Sequence, residues 1–161
     1  DPCASTLGTD DVPIDFKYMI HGIHASGHIG KSYDVCGFRS SVHSFDFDYP
    51  GRLNNCEGCH LEDTYYPVDT AQVFGTTFDV NDPAILTDDR VVSPNTAVCS
   101  ACHIGVLAVE HMQQNGGDFN ATKAADGTMI SAQIETCEVC HGPGRTADVK
   151  KVHEVDTFEF N

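Results

Sequence analysis

Six of the eight cysteines in this 161-residue chain fall in three pentapeptides: Cys56-Glu57-Gly58-Cys59-His60, Cys99-Ser100-Ala101-Cys102-His103 and Cys137-Glu138-Val139-Cys140-His141. This is the spacing of a covalent haem attachment site, and at this composition chance supplies roughly 0.02 copies per chain. Two thiols three positions apart lie on one side of a helical turn. There they can form thioethers to the two vinyl groups on one edge of a porphyrin. The histidine that follows then sets its imidazole over the iron as the proximal axial ligand. The spacing therefore implies three covalent haems c, attached through Cys56, Cys59, Cys99, Cys102, Cys137 and Cys140, with His60, His103 and His141 on the irons. Structural zinc explains the pattern poorly: 40 residues separate Cys59 from Cys99 and 35 separate Cys102 from Cys137. Zinc also gives no reason for a histidine directly after each second cysteine. A redox dithiol of the thioredoxin kind would occur once, in a βαβ setting.

Six histidines lie outside the motifs: His21, His24, His28, His43, His111 and His153. They suffice to give every iron a second imidazole. Methionine is the other common choice and would raise the potential, and Met19, Met112 and Met129 are present. His21 and His24 stand about 60° apart on one helix face, which suits two neighbouring haems. His111 lies roughly 12 Å along a helix from His103, too far for the same iron but within reach of an adjacent one. His153, beside Val149 and Val152, faces where an apolar cofactor would lie. His28, in a glycine-flanked stretch, reads as a surface histidine, and His43 reads equally well as either.

Cys3 and Cys36 remain, an even pair. Haems of this type are attached outside the cytoplasm, where thiols oxidise, so the two are expected to form a disulfide worth ~3 kcal/mol through restriction of the unfolded chain. The balance of 24 acidic against 9 basic residues, net −15, leaves no basic face for nucleic acid. No apolar run approaches the ~20 residues of a membrane-spanning helix. The chain starts at Asp1 rather than Met, which a removed leader or a trimmed terminus explains.

The elements that must position these groups are short. Phe16, Ile20 and Ile23 share a face and predict a helix over 14–25, weakened by Gly22 and ended at Gly27. Alternation of Phe45, Phe47 and Tyr49 predicts a strand over 44–49 before the Pro50-Gly51 turn. Residues 64–92 read as loop with one hairpin around Gly75. Ser93-Pro94 starts a helix expected to run through the second motif to about Gln114. Ser131 is expected to cap a helix into the third motif, stopped at Gly142-Pro143-Gly144. A last helix spans 146–153, and 157–161 are extended. The apolar core is modest for the length, so cofactors should supply much of it. The fold class is a multihaem c-type cytochrome, one trihaem domain over 1–161, with a haem-centred core, short α-helices, long loops and little β-sheet.

Several segments carry a resemblance beyond the motifs. Asp15-Phe-Lys-Tyr-Met-Ile-His-Gly-Ile-His24, Tyr49-Pro-Gly-Arg-Leu-Asn-Asn-Cys-Glu-Gly-Cys-His60, Cys99-Ser-Ala-Cys-His103 with His111, and Cys137-Glu-Val-Cys-His-Gly-Pro-Gly-Arg145 leading to Val152-His153 resemble the outer-membrane decahaem cytochromes of the OmcA/MtrC family. Such proteins are built from domains of five closely packed bis-His haems, and they pass electrons at or beyond the cell surface. The chain looks like the last three haem sites of one such domain. The resemblance implies His21, His24, His111 and His153 as distal ligands. Four candidates for three irons leave at least one of them without an iron of this chain.

The expected function is electron transfer without substrate chemistry, at the cell surface or outside the cell, with the periplasm as the other compartment. It would act as a shuttle to other cytochromes or extracellular acceptors, or by head-to-tail self-assembly as a subunit of a conductive filament. The alternative is a multihaem reductase with one open iron acting on a small oxyanion. That needs a free distal side, and the supply of histidines is enough to close all three.

Overall fold

The computed structural model describes residues 12–37, 41–69, 72–78 and 84–155. Cys3, the Asn81-Asp82-Pro83 turn and the C-terminal tail lie outside the described residues. Helix α1, Phe16–Ile29, starts where the Asp15 carboxylate accepts from the Lys17 amide at 3.0 Å. It runs past Gly27 and ends at Gly30, whose φ of 64° is the left-handed cap that glycine adopts without strain. Gly27 therefore serves packing rather than termination. A Cβ there would lie 2.5 Å from Asp48 Oδ1 and 2.7 Å from the Phe47 carbonyl.

Strands β1, Tyr33–Cys36, and β2, Val42–Phe45, form an antiparallel pair, Tyr33 opposite Phe45 and Cys36 opposite Val42. The expected strand over 44–49 is thus displaced towards the N-terminus. Beyond Phe45 the chain leaves the ladder, because Phe47 and Asp48 close against α1 at Gly27. A second, antiparallel sheet runs in the order β3 (Thr76–Phe78), β4 (Arg90–Val92), β5 (Ala121–Lys123), β6 (Met129–Ile130). The expectation of little sheet is corrected by this four-stranded element. Its strands are two or three residues long, too short to show an alternation in sequence, and β4 pairs with a segment 30 residues away.

The single helix expected from Pro94 to Gln114 is two helices, α2 (Pro94–Ser100) and α3 (Val106–Gln114). Cys102 and His103 occupy the turn between them, and Gly105 precedes α3 with extended backbone. The third motif forms its own short helix α4, Glu138–His141, with Cys137 at its N-cap. Ser131 does not cap it; its hydroxyl bonds Asp118 instead. Helix α5, Val149–Val152, is capped by Asp148, which accepts from the Lys150 amide at 2.9 Å.

Small residues dominate the described core: Ala25, Ala97, Ala101 and Ala121 beside Val91, Val92, Thr76 and Thr96. Tyr18 joins α1 to both sheets, its ring 6.2 Å from that of Tyr33 and 5.7 Å from that of Phe78. Large apolar side chains lie elsewhere, and open: Leu61, Leu107, Ile134 and Val139 are all at least 67% exposed.

Candidate haem-binding sites

The three attachment motifs share one backbone geometry. In each, the amide of the second cysteine donates to the carbonyl of the first at 3.2 Å, and the histidine amide donates to the same carbonyl at 2.8–2.9 Å. The first motif does this in a 3₁₀ turn over Cys56–Gly58, the second at the end of α2, the third in α4. One helical turn puts both thiols on one side and carries the imidazole beyond them.

Each motif histidine faces one other histidine. The ring centroids of His60 and His21 are 6.1 Å apart, those of His103 and His153 are 6.0 Å, and those of His141 and His111 are 6.0 Å. Metal–nitrogen bonds of about 2.0–2.1 Å on opposite sides of one iron hold imidazole centres roughly 6 Å apart. All three pairs fit that bis-imidazole spacing. The interplanar angles differ: 12° in the first pair, 67° in the second and 81° in the third.

The surroundings leave these rings neutral, with one nitrogen free to bind a metal. His21 Nδ1 bonds the Lys17 carbonyl, His141 Nδ1 the Ala147 carbonyl at 2.9 Å, and His153 Nδ1 the Val149 carbonyl at 2.9 Å. A carbonyl can only accept, so Nδ1 carries the proton and Nε2 keeps its lone pair for a metal. Burial, with His21 beside it, lowers the pKa of His60. Burial, with His153 and His141 nearby, lowers that of His103. Both favour the neutral, metal-binding form. Ile104 beside His103, Val139 inside the third motif, Val152 beside His153, and Leu61 beside His60 stand exposed around the pairs. The spacing and the uncovered apolar rim would fit an apolar disc between each pair. Among the described residues, no group of three or more His, Cys, Asp or Glu could hold a bare metal ion.

The sites touch one another in sequence order. Cys102 of the second motif lies 3.9 Å from the carbonyl of His21, which belongs to the first pair. Cys99 and Cys137, from the second and third motifs, are neighbours. The packing around Cys99 pushes its thiol up to about 11, and Cys137, Glu135 and Cys102 add to this. One side of that residue stays open to solvent. Lys150 in α5 reaches Glu57 of the first motif at 3.6 Å and Asp63 at 3.3 Å, so the helix leading to His153 is tied to the first site.

His24 is not brought to any motif histidine; its ring stacks on Tyr49 with centroids 4.3 Å apart. His28 lies with His24 along an open cleft beside Asp48 and Arg52. His43 sits on β2 with Nε2 3.2 Å from Ser41 Oγ. Cys36 is disulfide-bonded, and its expected partner, Cys3, lies outside the described residues. Three further residues go unnoticed in the sequence. Tyr65 lies against His60, ring centroids 6.2 Å apart, and Tyr66 lies near Cys137 and Cys99; both hydroxyls are buried with no hydrogen-bond partner among the described residues. Glu135 gathers five hydrogen bonds. The tyrosine pair five and six residues past a motif histidine was a visible signal for the first two; a lone glutamate offers none.

Among the described residues no helix is long and apolar enough to cross a membrane. The sequence model of one family, described as outer membrane cytochrome MtrC/MtrF-like, domains II/IV, matches residues 4–154. No curated protein and no solved structure matches the chain.

Proposed function

Because this chain belongs to the MtrC/MtrF-like outer membrane cytochromes, an electron-transfer family of the cell surface, we propose that it conducts electrons through three covalently bound, bis-His haems c. In this reading Cys56 and Cys59, Cys99 and Cys102, and Cys137 and Cys140 are the attachment pairs. The axial pairs are His60 with His21, His103 with His153, and His141 with His111. The observation that carries it is the repeated 6.0–6.1 Å spacing of three separate histidine pairs. A haem bound at each pair supplies one-electron exchange of its iron between ferric and ferrous states.

The chain's own residues do the rest. The thioether cysteines fix each porphyrin edge, and the carbonyl-bonded imidazoles hold their tautomer. The contact between Cys102 and the His21 carbonyl, and the electrostatic reach between Cys99 and Cys137, keep consecutive sites adjacent. With a second imidazole opposite every motif histidine, no distal side is left for a small oxyanion, which favours a carrier over a reductase. Partners are other cytochromes or extracellular acceptors. Cys36 is paired with Cys3, and one trihaem domain makes up the chain. Intact mass after acid–acetone treatment tests the count: three haems should remain attached. Visible and EPR spectra of the oxidised protein should show only six-coordinate, low-spin iron. A high-spin signal in the unaltered protein would contradict the pairing.

A further inference from the structure

The carboxylate of Glu135 is the most heavily bonded side chain in the described structure. Oε1 accepts from Ser93 Oγ, the Thr96 amide and Thr96 Oγ1, each at 2.7 Å. Oε2 accepts from the Asn95 amide at 2.9 Å and from Asn95 Nδ2 at 2.8 Å. Asn95 and Thr96 lie one helical turn before Cys99 in α2, and Glu135 lies two residues before Cys137. The clasp therefore joins the helix that carries the second attachment motif to the segment that enters the third.

All five donors are neutral. Among the described residues no ion pair within 4 Å involves Glu135; Lys17 pairs with Asp15, Lys123 with Asp89, and Lys150 with Glu57 and Asp63. Glu57, inside the first motif, differs in this respect, since Lys150 stands 3.6 Å from it. The clasp thus sets a carboxylate without an ion-pair partner between the second and third sites, while at the first site Glu57 and Asp63 share the single Lys150.

We propose that Glu135 is a positioning residue that tunes potential: its fixed carboxylate lowers the potentials of the second and third haems. The physical reason is charge. Oxidising a haem iron adds one positive charge, and a nearby anion in a partly dry setting stabilises that state. Burial alone would raise the Glu135 pKa, but the bonds from Ser93, Thr96 and Asn95 more than offset it and keep the group ionised.

The inference rests on the three-haem reading and is tested separately from it. The ring planes of the first pair are near parallel and those of the other two are crossed, so their EPR signals differ and an EPR-monitored redox titration follows each class. Glu135→Gln, which keeps the shape and removes the charge, should raise the midpoints of the crossed-plane haems and leave the parallel-plane haem unmoved. Glu135→Asp, which keeps the charge, should return those two midpoints towards the parent values. Midpoints unchanged in Glu135→Gln, or all three moving together, would overturn the role. Haem count by mass and low-spin spectra report on the carrier reading in the same samples. Should Glu135→Gln mature poorly, Gln133→Lys places a cation two residues from the carboxylate without touching its bonds. The same two midpoints should rise at low ionic strength, and no change there would equally count against the inference.

Discussion

Histidine side chains separate into two groups by what their rings face. His21, His111 and His153 each look at a motif histidine across about 6 Å, whereas His24 lies flat on Tyr49. His21→Ala should therefore convert one haem of three to high-spin, with the other two unchanged, while His24→Ala should leave all three low-spin; the visible spectrum of the ferric protein reads both. The interplanar angles add a finer expectation. Parallel imidazoles donate along the same direction and split the two iron dπ orbitals, whereas perpendicular ones leave them nearly equal in energy. Angles of 12°, 67° and 81° should give one rhombic low-spin EPR signal and two strongly anisotropic ones. Three alike signals would mean the ring planes are not held as described.

Short elements hold those residues through close contacts at their ends. Gly116, with φ of 83°, turns the chain after α3, and a Cβ there would collide with the Ile134 carbonyl. The same turn lets Asn115 O accept from Thr136 N at 3.0 Å, fixing α3 against the approach to the third motif. Gly116→Ala should cost roughly 2–3 kcal/mol and loosen the His111–His141 pair. A lowered thermal midpoint together with partial high-spin character at one haem would register both effects. The Glu135 clasp has a pH signature as well. Its folded pKa is depressed, so it stabilises the protein fully above the unfolded glutamate value of about 4.3 and loses that contribution as pH falls through the lower folded value. Glu135→Gln should flatten the acid limb of a stability–pH curve and leave the neutral region parallel to the parent. At the N-terminal end, Cys36 is disulfide-bonded, and with Cys3 as its partner neither residue should label with a thiol reagent in denaturant until reductant is added.

The whole molecule combines a core of small residues with exposed leucine, isoleucine and valine around the histidine pairs. Cofactors of haem size would cover that rim only in part at one haem per roughly 54 residues, and apolar edges left at the surface are association sites. Every motif histidine already has a partner within the chain, so assembly would proceed by contact of exposed edges, head to tail, without exchange of ligands. A net charge of −15 opposes it. Sedimentation should therefore show association growing with ionic strength or divalent cations, as screening shortens the reach of the repulsion. A monomer at both low and high salt would leave a shuttle between larger cytochromes as the working form.

The one-turn geometry of the three motifs was legible in the residues alone. A thioether pair and its following histidine need only one helical turn, so Cys56–His60, Cys99–His103 and Cys137–His141 declare themselves without any tertiary contact. The histidine-rich first helix was legible too, from its period and its glycine-bounded end, although that end is Gly30 rather than Gly27. The pairing of the histidines was not, because each ring's partner is set by packing across 30 to 50 residues of chain. His21 and His24 occupy one helix face and are equivalent in sequence; only the meeting of Tyr49 with one and His60 with the other tells them apart. The four-stranded sheet stayed hidden for the same reason, its two- and three-residue strands being defined by partners far away in sequence. Glu135 is the extreme case: an ordinary acidic residue in sequence, it acquires its part only when Ser93, Asn95 and Thr96 fold around it.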